Sequence, residues 1–142
     1  MIEQAMRKRV YYLLLCICVV LFGCTGSRKY AKKARKLEKA GLYQDAAEFY
    51  LQSLKRNNSN VDARIGLRKN GEKLLNDYLK RFFSTNAMGD CKGAVYAYKK
   101  ADDYHKLLEY YKINLDFPSH YRTLYDESKS AYLNTLYKEG SA

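Results

Sequence analysis

Two ten-residue stretches decide the fold of this chain: Gly41-Leu-Tyr-Gln-Asp-Ala-Ala-Glu-Phe-Tyr50 and Gly89-Asp-Cys-Lys-Gly-Ala-Val-Tyr-Ala-Tyr98. In each stretch an alanine lies five residues after the glycine and a tyrosine lies nine residues after it. A small residue, Ser53 or Ala101, follows three residues after the tyrosine. A glycine suits the left-handed residue that ends a helix. The alanine lets two helices approach closely, and the tyrosine ring fills the space between helical hairpins. Each stretch therefore predicts a turn between two helices.

Apolar residues recur at helical spacing from Tyr30 to Tyr137. The composition agrees, because leucine, alanine and lysine are plentiful and the chain has a single proline. Polar or glycine-containing breaks predict the connections, and Asn60 is expected to cap the helix that follows it. The breaks are Gly41-Leu42-Tyr43, Asn57-Asn58-Ser59-Asn60, Asn86–Asp90 and Asp116-Phe117-Pro118-Ser119, and the last helix is expected to end near Gly140.

The Gly–x4–Ala–x3–Tyr–x2–small pattern resembles the tetratricopeptide repeat over residues 27–60 and 75–101. Its structural positions are Gly41, Ala46, Tyr50, Gly89, Ala94 and Tyr98. The resemblance implies an all-α fold over residues 30–142, a right-handed superhelical stack of antiparallel helical hairpins closed by a C-terminal capping helix.

The second predicted hairpin is longer than the family's. Gly41 and Gly89 lie 48 residues apart, whereas the repeat period is about 34 residues. A first helix from Asn60 to about Thr85, paired with a second from Cys91 to about Ile113, accounts for the excess. We therefore expect a lengthened second hairpin.

A second motif, Leu21-Phe22-Gly23-Cys24, ends an apolar run that starts at Val10 and follows the basic residues Arg7, Lys8 and Arg9. A basic start, a short apolar region and a small residue at the boundary describe a secretory signal. The run of 13 residues is shorter than the roughly 20 that a spanning helix needs. With its cysteine, the motif resembles a bacterial lipoprotein signal. An ordinary signal peptide and an uncleaved signal anchor are the alternatives.

The lipoprotein resemblance implies a signal peptide over residues 1–23, diacylglycerol on the Cys24 thiol and a polar tether over residues 24–29. Combined with the repeats, the chain resembles tetratricopeptide-repeat lipoproteins of Gram-negative bacteria. Such a protein is anchored in the cell envelope, and Thr25 in place of aspartate after the cysteine favours the outer membrane. The membrane face and the length of a full family member stay open.

Catalytic and metal-binding motifs are lacking in the sequence. His105 and His120 lie on different predicted elements, and no His, Cys and carboxylate cluster has metal-ligand spacing. Cys16 and Cys18 would leave with the signal, so only Cys91 remains free and no internal disulfide is expected. We expect no enzyme activity and no cofactor beyond the covalent lipid at Cys24.

The predicted first helix is strongly basic, in a chain with net charge +11. Its cations are Arg28, Lys29, Lys32, Lys33, Arg35, Lys36 and Lys39, against the single acid Glu38. In tetratricopeptide proteins the first helix of each hairpin lines the concave face. By repeat position, the resemblance implies that Arg28, Ala31, Arg35, Glu38 and Lys39 bind a partner. Such a face suits an acidic or carboxylate-bearing peptide.

The sequence thus predicts a non-catalytic interaction scaffold that holds another envelope protein near the membrane, with the bilayer as a second partner through the anchor. The alternative is an electrostatic protein whose basic first helix grips anionic lipid, lipopolysaccharide or another polyanion. Neither nucleic acid nor a small-molecule substrate is an expected partner.

Overall fold

A computed structural model describes residues 26–141 of the chain, and those residues form helices and connections without a strand. The predicted signal over residues 1–23 and the predicted lipidation site Cys24 lie outside the described residues. The helices are α1, described over residues 26–39, α2 (Tyr43–Arg56), α3 (Val61–Ala87), α4 (Cys91–Tyr110) and α5 (His120–Gly140). The all-α prediction is confirmed.

The polar tether predicted over residues 24–29 differs from the structure, because residues 26–29 are already helical. The reason lies at Ser27, which is fully buried. Its hydroxyl donates a hydrogen bond to the Ser53 carbonyl of α2 at 3.0 Å. A serine bonded in this way belongs to the packed part of the protein.

Both repeat glycines adopt the left-handed conformation that the sequence predicts, with φ of 78° at Gly41 and 74° at Gly89. In each case the following residue donates its N–H to the carbonyl five residues earlier, at 3.0 Å for Leu42 and 3.1 Å for Asp90. The glycine donates to the carbonyl three residues back, at 3.0 Å in both copies. This pair of bonds is the Schellman motif, which satisfies the last carbonyls of a helix.

The remaining repeat positions are buried in both copies. Ala46 and Ala94 are 0% exposed, and Tyr50 and Tyr98 are 2% and 3% exposed. The same local structure, a left-handed glycine followed by a buried alanine and a buried tyrosine, thus occurs twice along the chain.

The described residues divide between Leu67 and Arg68, within α3, into two compact units. We call residues 26–67 the N-terminal unit and residues 68–141 the C-terminal unit. The segment that was predicted as one domain, residues 30–142, therefore spans both compact units. In the N-terminal unit, Ser27 meets Ser53 and Tyr30 meets Phe49, so α1 and α2 are antiparallel.

The C-terminal unit has an aromatic core. Tyr98 of α4 stacks on Tyr125 of α5 at 4.2 Å between ring centroids and meets Phe82 of α3 edge-on at 5.3 Å. The Tyr78 ring packs edge-on against Tyr104 at 5.5 Å. Since Tyr78 precedes Phe82 while Tyr104 follows Tyr98, the long helices α3 and α4 run antiparallel, as the lengthened hairpin predicts.

Helix α5 packs on α4 with its first half. Ser128 is buried and its hydroxyl bonds to Asn86 of α3. Beyond Ser128 most residues are exposed, including Leu133 and Tyr137. The packed part of α5 is therefore its first half.

Helix α4 ends at Tyr110, slightly before the predicted end near Ile113, and Lys112 takes the left-handed conformation there with φ of 58°. Ile113 donates its N–H to the Leu108 carbonyl at 3.0 Å, and Lys112 donates to the Glu109 carbonyl at 2.7 Å. This is the Schellman motif again, with lysine in the place where Gly41 and Gly89 stand in the repeats. A Cβ in this conformation costs roughly 1–2 kcal/mol.

Replacing Lys112 with glycine removes that strain. We expect Lys112→Gly to raise the free energy of unfolding by about 0.5–1 kcal/mol, since the greater freedom of glycine in the unfolded chain cancels part of the gain. Urea unfolding of the full chain followed by circular dichroism measures the change. Lys112→Ala is the matched control: it removes the same charge, keeps the Cβ and should stay near wild type. Equal effects of the two variants would contradict strain at this cap.

Candidate functional site on the first helix

A buried polar cluster fixes α1 against α2 and the start of α3. The Ser53 hydroxyl donates to the Ser27 carbonyl at 2.8 Å, complementing the bond from the Ser27 hydroxyl to the Ser53 carbonyl. The Asn60 amide donates to both hydroxyl oxygens, at 2.9 Å to Ser27 and 3.1 Å to Ser53. Buried polar groups that satisfy one another in this way specify a unique packing.

Asn60 has two roles, of which the sequence predicted one. Its side-chain oxygen accepts the N–H of Ala63 at 3.1 Å, which confirms the predicted cap of α3. The tie from its amide nitrogen to the two serines was not predicted. The available signal was the presence of a small polar residue, Ser27 or Ser53, at a core position of α1 and of α2.

Tyr50 reaches three helices at once. Its ring lies against Gly66 of α3, where an added Cβ would come within 2.2 Å of the ring carbon that carries the hydroxyl. The hydroxyl donates to a carboxylate oxygen of Glu38 on α1 at 2.6 Å. Burial, and next the hydrogen bond to Glu38, raise the pKa of Tyr50 to about 12. The ring therefore stays neutral and hydrogen-bonded at physiological pH.

One face of α1 forms a groove with the turn before α3 and with the first residues of that helix. Its volume is about 550 Å³, within the range of pockets that bind ligands. The lining residues, which define the groove below, are Arg28, Ala31, Lys32, Arg35, Asn57, Ser59, Asn60, Val61 and Asp62.

The groove carries three cations and one acid. Arg35 donates to the Asp62 carboxylate at 3.0 Å, with both side chains more than half exposed. An exposed pair of this kind contributes about 0–1 kcal/mol, so another carboxylate can replace Asp62 at small cost. Val61, 64% exposed, adds apolar surface beside the charges. The groove therefore offers a site for a carboxylate with an apolar neighbour.

The structure brings together three of the five predicted partner residues. Arg28 and Arg35 are exposed in the groove and Ala31 is buried at its floor. Glu38 does not line the groove and accepts the hydrogen bond from Tyr50. Lys39 is exposed outside it. Sequence reasoning missed the second wall, which Asn57–Asp62 supplies, because repeat position alone does not say which connection faces α1.

A second face of α1 forms a basic cleft with α2, of about 620 Å³. Tyr30 and Phe49 stack there with centroids 6.1 Å apart and planes inclined by 25°. The Lys33 ammonium lies 4.0 Å from the Phe49 centroid, and the Arg56 guanidinium carbon lies 5.5 Å from the Tyr30 centroid. The lining residues, which define the cleft below, are Gly26, Lys29, Tyr30, Lys32, Lys33, Lys36, Phe49 and Arg56.

Neither histidine lies in the groove or the cleft. His105 is half-buried, with its Nε2 2.9 Å from the Leu115 carbonyl oxygen and its ring beside Phe117. His120 is exposed at the start of α5. Over residues 26–141, no group of three or more His, Cys, Asp or Glu residues could hold a metal ion. Cys91 is half-buried and its thiol is free.

Among the described helices, none combines the length and the apolar character that crossing a membrane requires. No protein family, no curated protein and no solved structure gives a significant match to the chain.

The bond between Tyr50 and Glu38 predicts a stability change. Tyr50→Phe should lower the free energy of unfolding at neutral pH by about 1 kcal/mol, since it removes a hydrogen bond to a carboxylate. Urea unfolding checks this value. Tyr110→Phe, at a tyrosine that is 75% exposed, is the matched control and should change nothing measurable.

The raised pKa of Tyr50 also predicts a pH dependence. An unfolded tyrosine loses its proton near its ordinary value of 10.0, whereas folded Tyr50 keeps it to about 12. The contribution of Tyr50 to stability is therefore complete below pH 10 and is lost as pH rises toward 12. Stability measured across this range should fall less steeply in Tyr50→Phe than in wild type. Identical slopes would contradict the buried, hydrogen-bonded hydroxyl.

Proposed function

We propose that this protein is a lipid-anchored lipoprotein of the Gram-negative cell envelope, in the outer membrane by preference, that acts as a non-catalytic tetratricopeptide-type scaffold. The groove on α1 binds an acidic or carboxylate-bearing segment of a partner protein. The observation that carries this proposal is the groove itself, in which Arg28, Lys32 and Arg35 face a single acid.

The repeat architecture is supported by local structure in two places. Two Schellman caps with glycine, two buried alanines and two buried tyrosines occur at identical spacing. The antiparallel contacts of α1 with α2, and of α3 with α4, are those of helical hairpins. The right-handed stack of these hairpins remains part of the proposal.

A carboxylate-bearing peptide fits the groove better than an apolar one. Arg28 and Lys32 are exposed, and Arg35 is held by a carboxylate that a ligand can displace. Guanidinium groups bind carboxylates in a planar, bidentate manner, and such charge-assisted bonds are stronger than neutral ones. The exposed Val61 side chain gives an apolar residue of the partner a place to pack.

Two arginines test the groove. We expect Arg28→Ala/Arg35→Ala to weaken binding of a fluorescent, aspartate- and glutamate-rich peptide by about tenfold or more, because two charge-assisted contacts are lost. Fluorescence anisotropy measures the affinity. Lys39→Ala/Lys55→Ala is the matched control: it removes two exposed cations of α1 and α2 that line neither the groove nor the cleft.

The same assay also tests a variant that should raise the affinity for the acidic peptide. Asp62→Asn removes the carboxylate that competes with the peptide for Arg35, so affinity for the acidic peptide should rise severalfold. If the double arginine variant binds as wild type does, or if the control variant loses affinity equally, the groove is not the binding site.

The anchor rests on the sequence motif at Leu21-Phe22-Gly23-Cys24. Cys24→Ser should abolish incorporation of labelled palmitate, because serine lacks the thiol that accepts the diacylglyceryl group. Absence of palmitate from the wild-type chain would instead indicate an ordinary signal peptide or an uncleaved signal anchor. Incorporation of palmitate in the variant would contradict lipidation at Cys24.

A second candidate function is electrostatic binding of anionic lipid, lipopolysaccharide or another polyanion by the basic first helix. The cleft favours it, because five cations line this cleft without an acid. Salt separates the two functions by degree: binding of a polyanion by the five cations of the cleft should fall more steeply as salt rises than binding of a carboxylate-bearing peptide in the groove, which also packs on Val61. Catalysis, a metal, nucleic acid and a small-molecule substrate have no place in either proposal.

A further inference from the structure

The cleft differs from the groove in its chemistry. Lys29, Lys33, Lys36 and Arg56 line the cleft alone, and Lys32 lines both. The cleft has two aromatic rings and no acid, whereas the groove has Asp62 and the amide side chains of the turn. The two faces of α1 therefore suit different ligands.

The aromatic rings hold cations in place at the cleft. The Lys33 ammonium lies close enough to the Phe49 ring for a cation–π interaction, and the Arg56 guanidinium lies within range of the Tyr30 ring. An ammonium or guanidinium over a ring face keeps donors available for an anion on its other side. The cleft is therefore partly organised before any ligand arrives.

Positive charge is concentrated in the same part of the chain. Residues 26–67 contain ten lysines and arginines and four acids, a net charge of +6. Residues 68–141 contain thirteen basic and ten acidic residues, a net charge of +3 in a longer segment. The field of the described residues thus attracts an anion toward the N-terminal unit.

We infer that the cleft is a binding site for the phosphate-bearing headgroup of an anionic phospholipid. This inference rests on the proposed membrane anchorage, since the cleft starts at Gly26, two residues after Cys24 in the sequence. Tyrosine rings and the long stems of lysine and arginine are the side chains that occupy the headgroup level of a bilayer. The cleft would orient the protein on its membrane and leave the groove for the partner.

The test uses the full chain in zwitterionic dodecylphosphocholine micelles, titrated with short-chain dihexanoyl phosphatidylglycerol. Reductive methylation with formaldehyde and dimethylamine–borane as the hydride donor, both neutral reagents, followed by mass spectrometry reports the reactivity of each lysine. We expect Lys29, Lys33 and Lys36 to be protected by phosphatidylglycerol and not by dihexanoyl phosphatidylcholine. The exposed Lys99 and Lys138 of the C-terminal unit should react equally with either lipid.

Charge variants give the expected magnitude. Lys33→Gln/Lys36→Gln should weaken the protection of Lys29 by about fivefold for each charge removed, which corresponds to about 1 kcal/mol for each cation near an anionic surface. The matched control, Lys99→Gln/Lys138→Gln, removes two charges outside the cleft and should keep the wild-type titration. Far-UV circular dichroism verifies that both variants are folded.

Four results would overturn the inference. The first is equal protection by phosphatidylcholine, and the second is equal weakening in the control variant. The third is equally strong protection by the acidic peptide, which would assign the cleft to a protein partner. The fourth is equal protection by glycerol phosphate alone at the same concentration, which would assign the cleft to a free phosphate instead of a lipid. Because every lipid and variant is compared under the same conditions and lysine protection is read at the cleft itself, these results do not depend on lipidation at Cys24.

Discussion

The packing of the Tyr50 ring against Gly66 is the constraint on which the N-terminal unit depends. Glycine at this position lets α3 approach the ring, and the ring hydroxyl then reaches Glu38 of α1 at 2.6 Å. One side chain of α2 thus fixes the distances to both neighbours. The cluster of Ser27, Ser53 and Asn60 adds hydrogen bonds among the same helices. A larger residue at Gly66 would displace the ring and change both faces of α1.

That packing places one face of α1 in the groove and another in the cleft. Toward the turn before α3 the helix presents Arg35 with a replaceable acid partner, and toward α2 it presents Lys33 over the Phe49 ring. Lys32 borders both, so an anion in one site lowers the attraction for an anion in the other. Binding to the membrane and to a partner protein would then be coupled through charge, without any change of shape.

Much of the fold could be predicted from the sequence, because its strongest signals are local. The left-handed glycines, the cap at Asn60 and the buried tyrosines each follow from neighbours in the chain. The helical residues 26–29 escaped prediction, since their packing depends on a hydrogen bond to Ser53, 26 residues away from Ser27. Repeat position correctly grouped Arg28, Ala31 and Arg35, which line one groove. It could not show that Glu38 instead accepts the hydrogen bond of the Tyr50 hydroxyl. Which side chains meet across two helices depends on how the helices pack, and the spacing of residues along the sequence does not determine that packing.

We propose that the groove beside α1 binds an acidic segment of a partner protein. Nuclear magnetic resonance of the isotope-labelled full chain in zwitterionic micelles tests it most directly, by mapping where an acidic peptide shifts the amide and arginine side-chain signals. We expect the largest shifts at Arg28, Arg35 and residues 57–62, with the C-terminal unit unchanged. Shifts confined to the exposed end of α5, or spread evenly over all basic residues, would contradict it.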